Sequence, residues 1–234
     1  MEFVEVARAE SERGEVVLRE RRDPALGEGT PAVLELRVNG VFVMDTRETS
    51  SEKGLASAAL ARVADPRAVI VGGLGMGFTA HEVLADPRVE RLHVVEIEPA
   101  LVRWMRDGTI PHGPAYLADE RLAVVEADIR VAMAEATAAA YDLILLDVDN
   151  GPGFLVYDAN AAVYEAAFLG QAQAALRPGG ALVIWSAAES PTLHAELERV
   201  FGNAAAVPYD VQLQSREEQY WLYLARRETG AASE

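Results

Sequence analysis

From Ala68 onward, short apolar runs alternate with stretches of helical character. The runs are AVIVGG, RLHVVEI, RLAVVEA, YDLILLDV and GALVIWS, and the helical stretches that follow them cover 78–85, 99–106, 129–139, 159–176 and 192–201. Five such strand-helix units predict a parallel sheet covered by helices on both faces. The final segments, AAAVPYDVQL and EEQYWLYLARR, look like two strands with no helical pattern between them. They predict a hairpin that closes the sheet with an antiparallel last strand.

The N-terminal part has a different rhythm. Residues 1–48 carry the short β-type runs FVEVA, GEVVLRER, AVLELRV and VFVMD, separated by turn-formers at Pro24, Gly27, Gly29 and Asn39-Gly40. Asn-Gly between two such runs is a strong hairpin signal, because both residues tolerate positive φ. A small antiparallel β-domain is expected over 1–48 and an α/β domain over 49–227, with 228–234 as a disordered tail. Ser50 to Ala64 is alanine-rich, carries Leu55 and Leu60, and stops at Asp65-Pro66, so it reads as the helix leading into the main domain.

Composition narrows the function classes. The 234 residues are 50% hydrophobic, enough for a sizeable core, and fit one domain with a small appendage. Thirty-seven acidic against 21 basic residues give a net charge of −16. That charge repels phosphate backbones and anionic membranes, disfavours nucleic acid as a partner, and permits a cationic substrate. The absence of cysteine removes disulfides, thiolate metal sites and a cysteine nucleophile. The acidic N-terminus has no signal-peptide core, and no run approaches the roughly 20 apolar residues of a membrane span, so a soluble, cytoplasmic protein is expected. The four histidines show no metal-ligand spacing, and no metal is expected.

In an open parallel sheet, ligands bind beyond the carboxyl ends of the strands. Four strand ends carry candidates. Gly72, Gly73, Gly75 and Gly77 follow the first run and allow a sharp turn with close backbone approach to a ligand. Glu96, 19 residues after Gly77, is placed to accept both hydroxyl protons of an adenosine ribose, with Ile97 beside it. Asp128 can accept from an adenine amino group while Ile129 packs on the ring, and it is equally well placed as a helix N-cap. Asp147 and Asp149, in DVDNGPG, can orient a cation or take a proton from an attacking amine, or they simply shape the loop. Trp185 and Trp221 sit in strand patterns and read as core, with a stacking surface as the alternative. Gly75-Met-Gly77-Phe-Thr-Ala80 also satisfies the loose dinucleotide fingerprint, so NAD competes until the RPGG turn, fifth strand and closing hairpin are considered.

Taken in order, VGGLGMG, EVLADPRVERLHVVEIEPALV, RLAVVEAD, YDLILLDVDNGPG and LRPGGALVIWSAAESP resemble the spermidine synthase family of class I S-adenosylmethionine-type transferases. The likeness covers most of residues 33–200. It implies a Rossmann-like class I methyltransferase fold with a seven-stranded, mostly parallel sheet, an adenosylmethionine-type cofactor, and commonly a homodimer. It also implies that Glu96 holds the ribose, that Asp128 and Ile129 hold the adenine, and that Asp147 is the carboxylate that activates the amine.

The departures fall on the substrate side. Gly75 stands where family synthases place an Asp against the cofactor's aminopropyl ammonium, and Asn150 stands where a second polyamine-binding carboxylate is expected. No tyrosine lies between Val43 and Gly77, where synthases place a channel-lining aromatic, and Trp185 replaces a usual glutamine. Losing one partner of a desolvated charge pair costs about 2–5 kcal/mol, so polyamine recognition is weakened more than cofactor recognition. The resulting expectation is an S-adenosylmethionine-dependent methyltransferase acting on a small molecule, with an amine among the candidate acceptors. The alternatives are an aminopropyltransferase using decarboxylated S-adenosylmethionine, and a non-catalytic nucleoside-cofactor-binding homologue.

Overall fold

The computed structural model describes residues 2–22, 32–153, 155, 157–213 and 216–229. Pro24, Gly27 and Gly29 and residues 230–234 of the expected tail lie outside this set. Strands β1 (Glu2–Ser11), β2 (Gly14–Arg22), β3 (Val33–Val38) and β4 (Val41–Asp45) form an antiparallel sheet in that order. The Asn39-Gly40 turn is as expected: φ is 51° and 75° at the two residues, and Val38 pairs with Val41.

Helix α1 (Ser50–Leu60) leads into β5 (Ala68–Gly72), α2 (Phe78–Ala85), β6 (Arg91–Glu96), α3 (Pro99–Asp107), α4 (Gly113–Tyr116), β7 (Leu122–Glu126), α5 (Ile129–Ala134) and β8 (Tyr141–Leu146). A 3-10 segment (Asp158–Tyr164), α6 (Ala166–Ala175), β9 (Leu176–Ser186), α7 (Pro191–Phe201), β10 (Ala205–Leu213) and β11 (Arg216–Arg226) follow. The main sheet has seven strands in the order β10-β11-β9-β8-β5-β6-β7, with β5 to β9 parallel and β11 antiparallel to both its neighbours. The expected fold class is present: a Rossmann-like α/β sheet with an antiparallel last strand, beside a small β-sheet.

Alternation explains the two-sided covering. Val69, Val71, Leu143, Leu145 and Val183 point into one core with α1, α2, α3 and the N-terminal sheet, whereas Ile70, Ile144, Leu146, Leu182 and Ile184 point into the other with α5, α6 and α7. Strands buried on both faces need the near-continuous apolar runs seen in the sequence.

Some expected helices shift. The stretch 129–139 is helical only to Ala134; after a short loop, Ala139 takes a positive φ of 54° and donates its N–H to the Ala174 carbonyl, turning the chain into β8. The stretch 159–176 divides at Glu165, which is extended, into the 3-10 segment and α6. α1 stops four residues before Ala64, with the Arg62 N–H on the Ala59 carbonyl closing its end. The short α4 was not foreseen.

One buried ionic network positions α1. Arg21 pairs with Asp45 at 2.8 Å, both nearly inaccessible, while Arg19 and Arg37 contact the buried Glu35 at 2.6 and 2.7 Å. The other Asp45 oxygen accepts the N–H groups of Arg47 and Glu48, turning the chain from β4 towards α1. Replacing Arg21 by alanine strands Asp45 as a buried charge, so a loss of about 3–5 kcal/mol is expected in urea unfolding.

Candidate active site

The chain leaves β5 for β6 and β7 on one side, then crosses to β8 on the other. This reversal opens a crevice at the carboxyl ends of β5 and β8, where an open α/β sheet binds ligands. A cavity of about 590 Å3 lies there, within the ~300–1,000 Å3 range of small-molecule sites.

The glycine turn forms one wall. Gly73 has φ +95°, donates its N–H to the Val95 carbonyl, and would place a Cβ 2.0 Å from the Asp147 carbonyl oxygen. The turn threads between the ends of β6 and β8, where no side chain fits. Gly75 has φ +51°, and a Cβ there would meet Met44 Sδ at 2.8 Å. The Met76 N–H points at the same sulfur, 3.2 Å away, so the thioether of Met44 closes this wall. Gly73 and Gly75 line the cavity; Gly72 and Gly77 do not, and stand behind it.

Glu96 ends β6 with its carboxylate buried. One oxygen accepts the Leu74 N–H at 2.8 Å and the other the Glu98 N–H at 2.8 Å. Burial pushes its carboxyl above the usual range, against the pull of these amides. A carboxylate offers about four acceptor positions, so two remain for a ligand. Ile97 and Ile129 line the same cavity. Asp128 does so too while serving as the N-cap of α5: Oδ1 accepts the Arg130 N–H at 2.8 Å and the Arg130 guanidinium holds the carboxylate, keeping its pKa low. The N-cap reading of Asp128 is therefore satisfied, and its place in the wall leaves the adenine reading open.

Asp147 and Asp149 both line the cavity from the loop after β8. Asp147 accepts the Thr79 hydroxyl at 3.1 Å, and burial pushes its carboxyl up to about 6. Asp149 accepts its neighbouring Asn150 N–H at 2.9 Å and the Asn160 side-chain amide at 3.0 Å.

Several lining residues escaped sequence reasoning. Glu48 comes from the turn between β4 and α1, Glu52 from the first turn of α1, Tyr157 from the loop after β8, and Glu218 and Tyr220 from β11. Trp185 packs against the core as expected and also faces the cavity, because the β9 position that points to the helices lies above the crevice. Trp221 does pack against the second core. Arg13, at the tip of the β1–β2 hairpin, reaches over to Glu98 at 2.6 Å and the Ile97 carbonyl at 2.7 Å, and the Tyr157 hydroxyl donates to the same Glu98 oxygen.

Charge is the dominant property of this cavity. Its described lining residues include nine carboxylates and no Lys, Arg or His. Nearby arginines neutralise Asp45, Glu98 and Asp128 from outside the wall. Among the described residues, no His, Cys, Asp or Glu group is arranged to hold a metal, and no helix is long and apolar enough to cross a membrane. An anionic cleft of this kind concentrates cations and stabilises positive charge within it.

The model of the spermine/spermidine synthase domain matches residues 48–206. The chain belongs to that family. Within it, this synthase-family chain is 31% identical to Putrescine N-methyltransferase 3 of Nicotiana tabacum over 151 residues, 63% of this chain and 37% of that protein. It is 31% identical to Polyamine aminopropyltransferase 2 of Hyperthermus butylicus over 150 residues, 62% of this chain and 46% of that one. The matches thus span less than half the length of either relative. Among solved structures, a spermidine synthase in complex with the transition-state analogue AdoDATO superimposes with a TM-score of 0.77 at 16% identity, over 96% of this chain and 74% of that one. The spermidine synthase of Thermotoga maritima gives 0.76 at 15%, over 98% and 74%. These structural likenesses establish the fold; relatives in sequence include both methyl- and aminopropyl-transferring enzymes.

Proposed function

We propose that this protein is an S-adenosylmethionine-dependent methyltransferase whose acceptor is a small amine. The observation that carries the reading is the wall at Gly75: Met44 Sδ fills the space a side chain would take, so no acid stands there to receive the ammonium of an aminopropyl group. Named relatives that methylate putrescine support the same direction.

In this reading Glu96 uses its two remaining acceptor positions on the ribose, while Ile97, Asp128 and Ile129 flank the adenine. The backbone of Gly73 and Gly75 borders the rest of the cofactor. Bound S-adenosylmethionine supplies a methyl carbon made electrophilic by its sulfonium. Asp147 orients the incoming ammonium and takes one proton, which frees the nitrogen lone pair. Methyl transfer to that nitrogen would leave the S–C bond pair on sulfur, with the displaced proton already held by Asp147. Asp149, held by Asn160, keeps the amine in line. A carboxylate with a pKa about 6 is ionised at neutral pH yet basic enough to accept a proton, which suits a general base.

A second reading, aminopropyl transfer from decarboxylated S-adenosylmethionine, is favoured by one fact: among the described residues, no basic side chain lines the cavity to offset a methionyl carboxylate. Calorimetric titration with both cofactors separates the two. Tighter binding of S-adenosylmethionine is expected; tighter binding of the decarboxylated form, with methylthioadenosine released in the presence of an amine, would reverse the assignment. Tight binding of either without turnover over a panel of amines would make the protein a binding homologue.

A further inference from the structure

Glu96 does not stand alone at the end of β6. Glu98 follows two residues later, both side chains are buried, and the Glu98 N–H donates to Glu96 at 2.8 Å. Burial pushes the Glu96 carboxyl up, and the charge of Glu98 adds to that push. Two carboxylates this close and this dry stay ionised together only if a cation offsets one of them. A ribose, in turn, can donate both its hydroxyls to Glu96 only while that carboxyl is ionised.

The cation comes from the other sheet. Arg13, at the tip of the β1–β2 hairpin, donates from Nε to Glu98 Oε1 at 2.6 Å and from Nη2 to the Ile97 carbonyl at 2.7 Å. One rigid fork of donors therefore grips the side chain of one residue and the backbone of the residue before it. The Tyr157 hydroxyl, from the loop after β8, donates to the same Glu98 oxygen at 3.1 Å. Burial and the Glu98 charge push that hydroxyl up, so it stays a donor. Asp128, at the end of β7, also feels the Arg13 charge, although Arg130 is its main partner.

The hairpin tip is itself held by a neighbouring turn. Asn39, between β3 and β4, accepts the Glu15 N–H through Oδ1 at 3.0 Å, and its side-chain amide donates to the Arg13 carbonyl at 3.1 Å. The Asn39 backbone N–H also reaches the Glu15 carbonyl at 2.9 Å. Two hairpin turns of the N-terminal sheet thus lock together, and the guanidinium they carry lies against the segment that follows β6.

We propose that Arg13 is a positioning residue for the cofactor: acting through Glu98 and the Ile97 carbonyl, it keeps Glu96 ionised and aimed at the ribose, which makes the N-terminal sheet a working part of the cofactor site. This rests on the cofactor half of the reading above, with Glu96 on the ribose, and holds whichever group is transferred. Without Arg13, Glu98 is left as a buried charge beside Glu96, and the Ile97 carbonyl loses its donor. The segment 96–98 then relieves the repulsion by taking up a proton or by moving, and either change costs ribose affinity.

The test titrates the full chain calorimetrically with S-adenosylhomocysteine and with adenosine, in the wild type and in Arg13→Met, Arg13→Lys and Glu96→Gln. Arg13→Met should weaken both ligands by about tenfold, within the range for residues coupled in one hydrogen-bonded network. The two losses should agree within about threefold, because adenosine carries the ribose that both ligands share. Arg13→Lys, which keeps the charge but not the fork, should recover part of each. A stoichiometry near one in every variant reports that the site is folded. If Arg13→Met lowers the melting temperature and leaves both affinities unchanged, Arg13 only docks the two sheets and the proposal fails. It fails also if the loss appears with S-adenosylhomocysteine and not with adenosine, or if the lysine variant is as weak as the methionine one. Weakening by Glu96→Gln with none by Arg13→Met would overturn the role of Arg13 alone; the reverse pattern would keep Arg13 in the cofactor site and withdraw Glu96 from the ribose.

Discussion

Asp147→Asn is expected to lower turnover by about 10²–10⁴-fold, the usual contribution of a positioned general base, while raising the melting temperature. Both effects come from the same carboxylate. Its folded pKa is about 6 against an ordinary 3.8, a difference of about 2.2, because burial outweighs the Thr79 hydrogen bond. A raised acid favours folding below its unfolded value, and that contribution is lost as pH rises through about 6. At pH 7.5 the ionised Asp147 therefore opposes folding. A difference of that size corresponds to at most about 3 kcal/mol, and the part of Asp147 that faces the cavity screens some of it, leaving about 1–2. For a chain of this length that is a rise of about 2–8 °C in the variant. The wild type should likewise become more stable between pH 7.5 and pH 5, with Glu52, held at about 7, adding in the same direction. A variant that loses stability at pH 7.5, or keeps full turnover, would remove Asp147 from the base position.

Glu96→Gln is expected to weaken cofactor binding by about 10²-fold or more. Two hydroxyl-to-carboxylate hydrogen bonds are at stake, each worth about 1.5–3 kcal/mol because the acceptor is charged. Glutamine also acts on the fold. Both Glu96 oxygens already accept backbone N–H groups, from Leu74 and Glu98. A glutamine turns one acceptor into a donor, which faces one of these amides and strands it at a cost of about 1–3 kcal/mol. Removing a buried charge works in the opposite direction, since burial already holds the Glu96 carboxyl above its usual range. Stability should therefore change much less than affinity. Titration with S-adenosylhomocysteine reads the binding term; unchanged affinity would withdraw Glu96 from the ribose.

Most of the architecture was legible because it is local. The apolar runs that became β5 and β8 can only be buried on both faces, the helix expected over 78–85 is α2 residue for residue, and Asn39-Gly40 makes the hairpin. Glu52 was not legible, because an acid in the first turn of a helix is ordinary and favourable with the helix dipole. The distant Arg21–Asp45 pair holds the turn that leads into that end of α1. Trp185 escaped for a related reason: strand alternation assigns a face, and does not say where along that face the helices stop and the crevice begins. Asp128 is the N-cap it was read as, and it also lines the cavity.

The central claim is methyl transfer to an amine, and its most direct measurement follows the methyl group itself. Incubation of the full chain with methyl-labelled S-adenosylmethionine and 1,4-diaminobutane should yield N-methylated diamine and an equal amount of S-adenosylhomocysteine, with yield rising with enzyme and absent with Asp147→Asn. Label remaining on S-adenosylmethionine, while the decarboxylated cofactor gives methylthioadenosine and an aminopropylated product, would contradict it.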